Sequence, residues 1–195
     1  AIIFTKVLGV IYVIPFYNII GEQGGALYGY SYTIYNFFLS ISTVGLPLAI
    51  SKLTSEYNTL DMTSEKVRLY KISRNLILIF SIVSFLICFI FAKEVAYLII
   101  GNIENGNSIS DVTFTIRMVS FALLVVPLVS IMRGYLQGHK YIKEPSVSQV
   151  IEQVVRVIVI LLGSYLTLRV FHLSLKTAIG VSVFASCLGG LFAYF

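Results

Sequence analysis

The sequence predicts an all-α integral membrane protein, built as a six-helix transmembrane bundle. Of the 195 residues, 57% are hydrophobic and 12% are charged, whereas soluble domains have about 45–50% apolar and about 25% charged residues. The apolar residues also form runs of about 20 without strand-like alternation, and this is the length that a helix needs to cross the hydrocarbon core. The composition therefore excludes a soluble enzyme and the disordered, collagenous and disulfide-rich secreted classes.

The predicted spans are six apolar segments joined by polar connectors. In chain order they are residues 1–20, 26–53, 75–100, 111–137, 146–170 and 175–195. The glycine-rich segment 21–25 predicts a hairpin loop, and segment 101–107 predicts a turn-rich loop. Charges alternate with apolar residues in segment 56–74, which predicts a short helix along the membrane surface. Both ends of the chain lie within apolar runs, which indicates a fragment of a longer protein.

Basic residues are distributed unevenly over the two sides of the bundle. Nine lie on the side of the amino-terminal end and three on the opposite side. The nine are Lys6, Lys52, Lys66, Arg68, Lys71, Arg74, Arg133, Lys140 and Lys143. The positive-inside rule therefore predicts a cytoplasmic amino-terminal end. The net charge of +5 suits anionic inner-leaflet lipid, and no nucleic-acid-binding motif accompanies it.

A polar stripe runs along the fifth predicted span. Gln149, Glu152, Gln153 and Arg156 have the i, i+3, i+4, i+7 spacing of one helix face. If the helix begins at Pro145, a rise of about 1.5 Å per residue places Arg156 roughly 16 Å along it. A charge at the centre of a membrane costs about 2.5–3.5 kcal/mol, so the stripe is predicted to face protein or a water-filled cavity. The alternative is an ion pair between Glu152 and Arg156 within the helix.

Further candidates lie in other spans. Arg117 is a charged residue in the fourth span, so it too is predicted to face protein or a water-filled cavity; the alternative is that its side chain snorkels to the headgroups. Pro15, Pro47 and Pro127 predict helix breaks, and Gly45 adds a glycine next to Pro47. Broken helices bound cavities in transporters, although membrane helices also tolerate proline.

Tyrosines and cysteines in the apolar spans also carry predictions. Helical spacing puts Tyr28, Tyr32 and Tyr35 on one face, which indicates either an aromatic belt with ordinary packing or the lining of a cavity. Cys88 and Cys187 lie in apolar runs and are predicted to be small buried thiols. No group of residues has metal-ligand spacing, so neither a metal nor another cofactor is expected.

Several stretches carry a resemblance to a known family. Residues 133–140 (RGYLQGHK), 148–156 (SQVIEQVVR), 42–53 (STVGLPLAISKL) and the opening from Lys6 to Glu22 resemble the polysaccharide-biosynthesis and stage V sporulation protein B branch of the MOP flippase superfamily. This branch includes MurJ-like lipid II flippases. Its members are built from two lobes, so the resemblance implies that this chain is the amino-terminal lobe of a two-lobed transporter.

The resemblance also implies a function. It implies a flippase that moves a polyprenyl-pyrophosphate-linked saccharide, lipid II or a related cell-envelope precursor, across a bacterial cytoplasmic membrane by alternating access. The implied partners are the lipid-linked oligosaccharide, membrane lipids, the missing carboxy-terminal lobe and, if transport is coupled, a cation. The alternatives are a cation-coupled multidrug exporter of the same superfamily and a membrane-embedded polyprenyl-phosphate enzyme, although no acidic pair stands where magnesium would need one.

The sequence departs from the family at the expected head-group residues. Tyr12 and Thr33 stand where Gram-negative relatives carry arginine, and Val13 stands where Gram-positive relatives often do. The basic candidates for a pyrophosphate are therefore other residues. The full set of substrate-cavity candidates is Lys6, Lys52, Arg117, Arg133, Gln149, Glu152, Gln153 and Arg156.

Overall fold

The computed structural model describes residues 2–43, 45–101 and 107–194, and these residues form helices and turns without a strand. In chain order the helices are α1 (Ile2–Ile11), α2 (Val13–Thr43), α3 (Leu46–Thr59), α4 (Thr63–Ile90), α5 (Ala92–Ile100), α6 (Ile109–Ser120), α7 (Ala122–Gly138), α8 (Lys143–Tyr165) and α9 (Leu175–Tyr194). A short π-helical turn (Leu166–Val170) extends α8. The predicted all-α bundle is confirmed. Residues 102–106 of the predicted loop and the outermost residues of spans 1–20 and 175–195 lie outside the described residues.

The first two predicted spans form a helical hairpin that reverses at one residue. Gly21 has φ 69° and ψ −177°, which is not helical, and α2 continues on both sides of it. The ring centroids of Phe16 and Tyr28 are 5.0 Å apart, whereas twelve residues of straight helix would span about 18 Å. Residues 13–20 and 22–43 are therefore antiparallel. The predicted five-residue loop at 21–25 is wrong in its length, because the helix resumes immediately after the glycine.

The second predicted span, 26–53, is interrupted. Gly45 has φ 83°, a left-handed conformation that favours glycine, and it caps the start of α3. Pro47 lies in the first turn of α3, where its missing N–H removes no helical hydrogen bond. A Cβ on Gly134 of α7 would lie 2.5 Å from the Pro47 carbonyl oxygen, so α3 and α7 pack backbone against backbone.

The predicted surface helix over residues 56–74 is wrong. Its first residues finish α3, the chain turns at Asp61 with φ 52°, and α4 begins at Thr63. Since α4 then continues to Ile90, the basic residues of this region occupy the first turns of a long membrane helix. The third predicted span, 75–100, is in turn divided at Phe91, after which the short helix α5 packs against α6.

The core is formed where α9 lies between α6, α7 and α8. Small residues make this packing close: a Cβ on Gly189 would lie 2.8 Å from the Glu152 carbonyl oxygen of α8. Cys88 and Cys187 are both buried, as predicted. Helix α4 runs antiparallel to α6 and α7. The ring centroids of Tyr70 and Tyr135 are 4.6 Å apart at one end of the bundle, and those of Phe85 and Phe121 are 5.3 Å apart towards the other.

Five helical runs among the described residues are long and apolar enough to cross a membrane. They are Val13–Thr59, Thr63–Ile90, Ile109–Gly138, Lys143–Val170 and Leu175–Tyr194. The predicted number is six. The count differs because span 1–20 is divided between α1 and the start of α2, and because the run Val13–Thr59 is counted once although the chain reverses at Gly21 within it. The division falls at Tyr12, where the missing N–H of Pro15 leaves the Ile11 carbonyl without its helical donor.

Candidate functional site

A polar cavity of about 450 Å³ lies between α1, α2, α7 and α8. Its lining is polar, whereas the helices around it are mainly apolar. Its lining residues are Thr5, Lys6, Gly9, Tyr12, Tyr32, Arg133, Gln149, Glu152, Gln153 and Arg156. Six of these are sequence candidates: Lys6, Arg133 and the whole stripe of α8.

An ion pair between helices neutralises the carboxylate of the cavity. Arg133 Nη2 of α7 lies 2.8 Å from Glu152 Oε2, and both side chains are largely buried, with 17% and 11% of their surfaces exposed. Arg133 also donates to Ser148 Oγ from Nε at 3.1 Å and from Nη2 at 3.0 Å. Ser148 Oγ in turn donates to the Ala193 carbonyl oxygen at 2.7 Å. One guanidinium group therefore connects α7 to α8 and, through Ser148, to the last turn of α9.

Arg156 has a different set of neighbours. Its Nη2 donates to Gln153 Oε1, one turn earlier on α8, and it lies within electrostatic range of Tyr32, Glu152, Tyr35 and Tyr28. The alternative of a direct ion pair between Glu152 and Arg156 is wrong, because the carboxylate of Glu152 contacts Arg133 instead. Arg156 lies about 20 Å from the start of the run Lys143–Val170 and about 21 Å from its end. It therefore stands at the middle of that helix with a face on the polar cavity.

The first hairpin supplies the opposite wall. Gly9 allows α1 to approach α8, since a Cβ there would lie 3.3 Å from Gln153 Nε2. Tyr12 lies between α1 and α2, and Tyr32 comes from the second arm of the hairpin. The ring of Tyr32 stacks on that of Tyr28 with centroids 5.6 Å apart. Tyr28 and Tyr35 are buried in the core. Of the three tyrosines on this face, Tyr32 lines the polar cavity, and Tyr28 and Tyr35 pack behind it.

The remaining candidates lie elsewhere. Lys52 is exposed on α3, and Arg117 places its guanidinium 5.5 Å from the ring centroid of Phe89 on α4. Neither residue lines the polar cavity. Pro15 lies in the first turn of α2, and Pro127 is buried inside α7. In the part of the chain that the structure describes, no group of three or more histidine, cysteine, aspartate and glutamate residues is placed to hold a metal ion.

Comparison with known proteins places the chain in a family. The family model described as "Polysaccharide biosynthesis protein" matches residues 1–195. The chain belongs to this polysaccharide biosynthesis protein family. Three relatives come from Bacillus subtilis (strain 168). Identity is 40% to "Lipid II flippase MurJ" over 95% of this chain, 33% to "Uncharacterized membrane protein YabM" over 98% and 25% to "Stage V sporulation protein B" over 78%.

The chain spans about a third of the length of these relatives: 34%, 34% and 28%, respectively. No solved structure matches it significantly. The predicted resemblance to the MurJ-like branch of the polysaccharide biosynthesis family is confirmed.

Part of the wall of the polar cavity was not predicted from the sequence. Thr5, Gly9 and Tyr12 line the cavity and were not singled out as lining residues. A signal was present, since they have the i, i+4, i+7 spacing of one helix face. That small and polar face on an otherwise apolar helix matches the stripe on α8, and the two faces meet in the structure.

Proposed function

We propose that the protein is the amino-terminal lobe of a flippase that moves a polyprenyl-pyrophosphate-linked saccharide across the membrane. The observation that carries the proposal is the polar cavity, with Lys6, Arg133 and Arg156 around it. A fixed cation midway along a membrane helix, as Arg156 is, is costly, and such charges mark substrate or ion pathways. The 40% identity to a protein named as a lipid II flippase supports this class of substrate.

The cavity offers the contacts that such a head group needs. A pyrophosphate that leaves water requires cationic donors to offset its lost hydration, and guanidinium groups bind phosphate oxygens in a bidentate manner. Three basic side chains face one carboxylate, which leaves an excess of positive charge for an anion. The amides of Gln149 and Gln153 can exchange hydrogen bonds with saccharide hydroxyls, while the lipid tail remains in an apolar environment.

Transport requires more than this lobe. We propose that the rest of the protein supplies a second lobe, and that the two lobes expose the polar cavity to each side of the membrane in turn. The excess of basic residues at the end of Lys6 and Lys143 supports a cytoplasmic placement for that end. A coupling cation remains a prediction. The proposed protein is a transporter and not an enzyme.

The test uses the full-length protein in a strain depleted of its lipid II flippase. We expect Arg156→Ala to lose complementation, because the cavity loses its deepest cation. Arg117→Ala is the matched control, since Arg117 is also a basic residue in a membrane helix but lies outside the cavity. Both variants are checked for membrane insertion. Growth of Arg156→Ala at the wild-type rate would show that this cavity is not the head-group site.

A further inference from the structure

Tyr32 forms a flat aromatic part of the wall of the polar cavity. It is half-buried and lines the cavity from α2, whereas Tyr28, one turn earlier on the same helix, does not line it. The two rings are nearly parallel, with an interplanar angle of 13° and centroids 5.6 Å apart. One face of the Tyr32 ring is therefore covered by Tyr28, and the surface that it gives to the cavity is its other face and its edge.

The rings behind Tyr32 fix its orientation. Tyr28 is 8% exposed and meets Phe16 of the first arm edge to face, with centroids 5.0 Å apart. Tyr35 is 2% exposed, and its ring centroid lies 5.7 Å from that of Tyr32 at an interplanar angle of 45°. Offset and tilted aromatic pairs of this kind attract each other. Because the supporting rings are buried, the Tyr32 ring has little freedom to turn and is a preformed surface.

The wall that α8 supplies has a different chemistry. Gln149 and Gln153 line the cavity there, and a side-chain amide both donates and accepts hydrogen bonds. The cavity volume of about 450 Å³ is within the range of about 300–1,000 Å³ that small-ligand sites have. A ligand between Tyr32 and these amides thus meets an aromatic face on one side and hydrogen-bonding groups on the other.

The charge of the cavity decides which kind of ligand the ring can take. The face of an aromatic ring attracts cations and also the C–H groups of a neutral molecule. Three basic side chains line the cavity against the single acid among its lining residues, Glu152, so an organic cation is repelled. A hydrocarbon chain would leave the amides of α8 without partners, which costs free energy. A pyranose ring suits both walls, because its C–H groups form a flat apolar face and its hydroxyls project from its edge.

We propose that Tyr32 is the stacking platform for the saccharide ring next to the pyrophosphate, and that this contact selects a lipid-linked saccharide over the bare lipid pyrophosphate. The inference rests on the proposed function, because it assigns one part of the same head group. The basic side chains bind the pyrophosphate, the pyranose ring lies on Tyr32, and the amides of Gln149 and Gln153 bind its hydroxyls. Tyr32 is thus a specificity-determining residue, whereas the cations serve any ligand that carries the pyrophosphate.

The test measures the affinity of the full-length protein in detergent micelles for two probes. One probe is a polyprenyl pyrophosphate, and the other is the same lipid with one N-acetylglucosamine on its pyrophosphate. In the wild type we expect tighter binding of the saccharide probe. Tyr32→Leu keeps an apolar side chain but loses the flat ring, so it should weaken binding of the saccharide probe by about tenfold and that of the sugar-free probe by less than about twofold. Tyr32→Phe keeps the ring and should bind both probes as the wild type does.

Tyr30→Leu is the matched control. Tyr30 lies two residues before Tyr32 on α2, is also half-buried and does not line the polar cavity. Both affinities should remain at the wild-type level in this variant. An equal loss for the two probes in Tyr32→Leu would show that the side chain only maintains the wall, and this result overturns the inference. Loss of saccharide binding in Tyr32→Phe, or the same selective loss in Tyr30→Leu, overturns it as well.

Failure of the platform and failure of the proposed function give different results. If the wild type binds neither probe, the proposed function is overturned and the platform with it. If the wild type binds both probes with the same affinity, only the platform is overturned, since the cations then account for all of the binding.

Discussion

Arg133 of α7 neutralises Glu152 of α8 across a distance of 2.8 Å, although Arg156 lies only four residues from Glu152 on the same helix. The carboxylate is thus held between helices, and Arg156 remains on the cavity wall with an amide as its partner. An intrahelical pair would have consumed the deepest cation of the cavity. The pairing that is observed leaves this cation available to a ligand.

Removing Arg133 should destabilise the lobe. Arg133→Ala leaves Glu152 charged and largely buried, and loss of one partner of a buried pair costs about 3–5 kcal/mol. The free energy of unfolding, measured in mixed micelles, should fall by this order, and the double variant Arg133→Met/Glu152→Met should regain most of it. Lys176→Ala is the control, because its pair with Asp111 is longer, at 3.6 Å, and more exposed, so the loss should be below about 1 kcal/mol. Equal losses for the two single variants would contradict this account.

The contact between α3 and α7 should not tolerate a methyl group. A Cβ on Gly134 would lie 2.5 Å from a backbone oxygen of Pro47, so Gly134→Ala must push the two helices apart, at about 1–3 kcal/mol. Gly29→Ala is the matched control, since a Cβ there meets nothing within 4 Å. It should be neutral or stabilising by up to about 1 kcal/mol. Thermal unfolding of the two variants side by side measures the difference, and similar melting temperatures would refute the prediction.

The reversal at Gly21 should depend on backbone conformation alone. No atom lies within 4 Å of a Cβ built at this position, so a clash plays no part. Its φ of 69° with ψ of −177° is a region that essentially only glycine adopts, and Gly21→Ala should therefore cost about 1–3 kcal/mol. Thermal unfolding measures this cost against Gly29→Ala. A melting temperature at or above that of the wild type would be inconsistent with the strain.

The polar cavity can be blocked without removal of a charge. In Gly9→Phe the ring enters the space in front of Gln153, and transport by the full-length protein should be lost while the cations remain. Val10→Phe is the control, because Val10 is 69% exposed on the neighbouring face of α1. Complementation of the depleted strain measures both variants. Normal growth with Gly9→Phe would mean that substrate does not pass this wall.

The stripe on α8 could be predicted because helical periodicity and the cost of burying charge are local properties of a sequence. Glu152 and Gln153 are indeed buried, and the stripe faces a cavity. The partner of Glu152 could not be predicted in this way. Spacing favoured Arg156, whereas the choice of Arg133 depends on how α7 packs against α8, which is a tertiary property.

The bounds of the helices differ from the predicted spans for a related reason. Hydropathy does not reveal where a helix changes direction, and the reversal at Gly21 and the breaks at Gly45 and Phe91 are backbone events within apolar sequence. The charged segment after Glu56 was interpreted as a separate surface helix because its polarity changes. In the structure it is the start of α4, since Asp61 provides the turn and no helix breaker follows Thr63.

The one-residue turn at Gly21 fixes the rotational phase of the two arms that it joins. A loop of several residues could change its length without moving the helices that it joins, but a turn of one residue cannot. Inserting a single residue after Gly21 would rotate Tyr28 and Tyr32 by about 100° around the helix axis and would turn both rings away from their present neighbours. Natural variation in this part of the family should therefore take the form of substitutions, with insertions and deletions excluded at this corner.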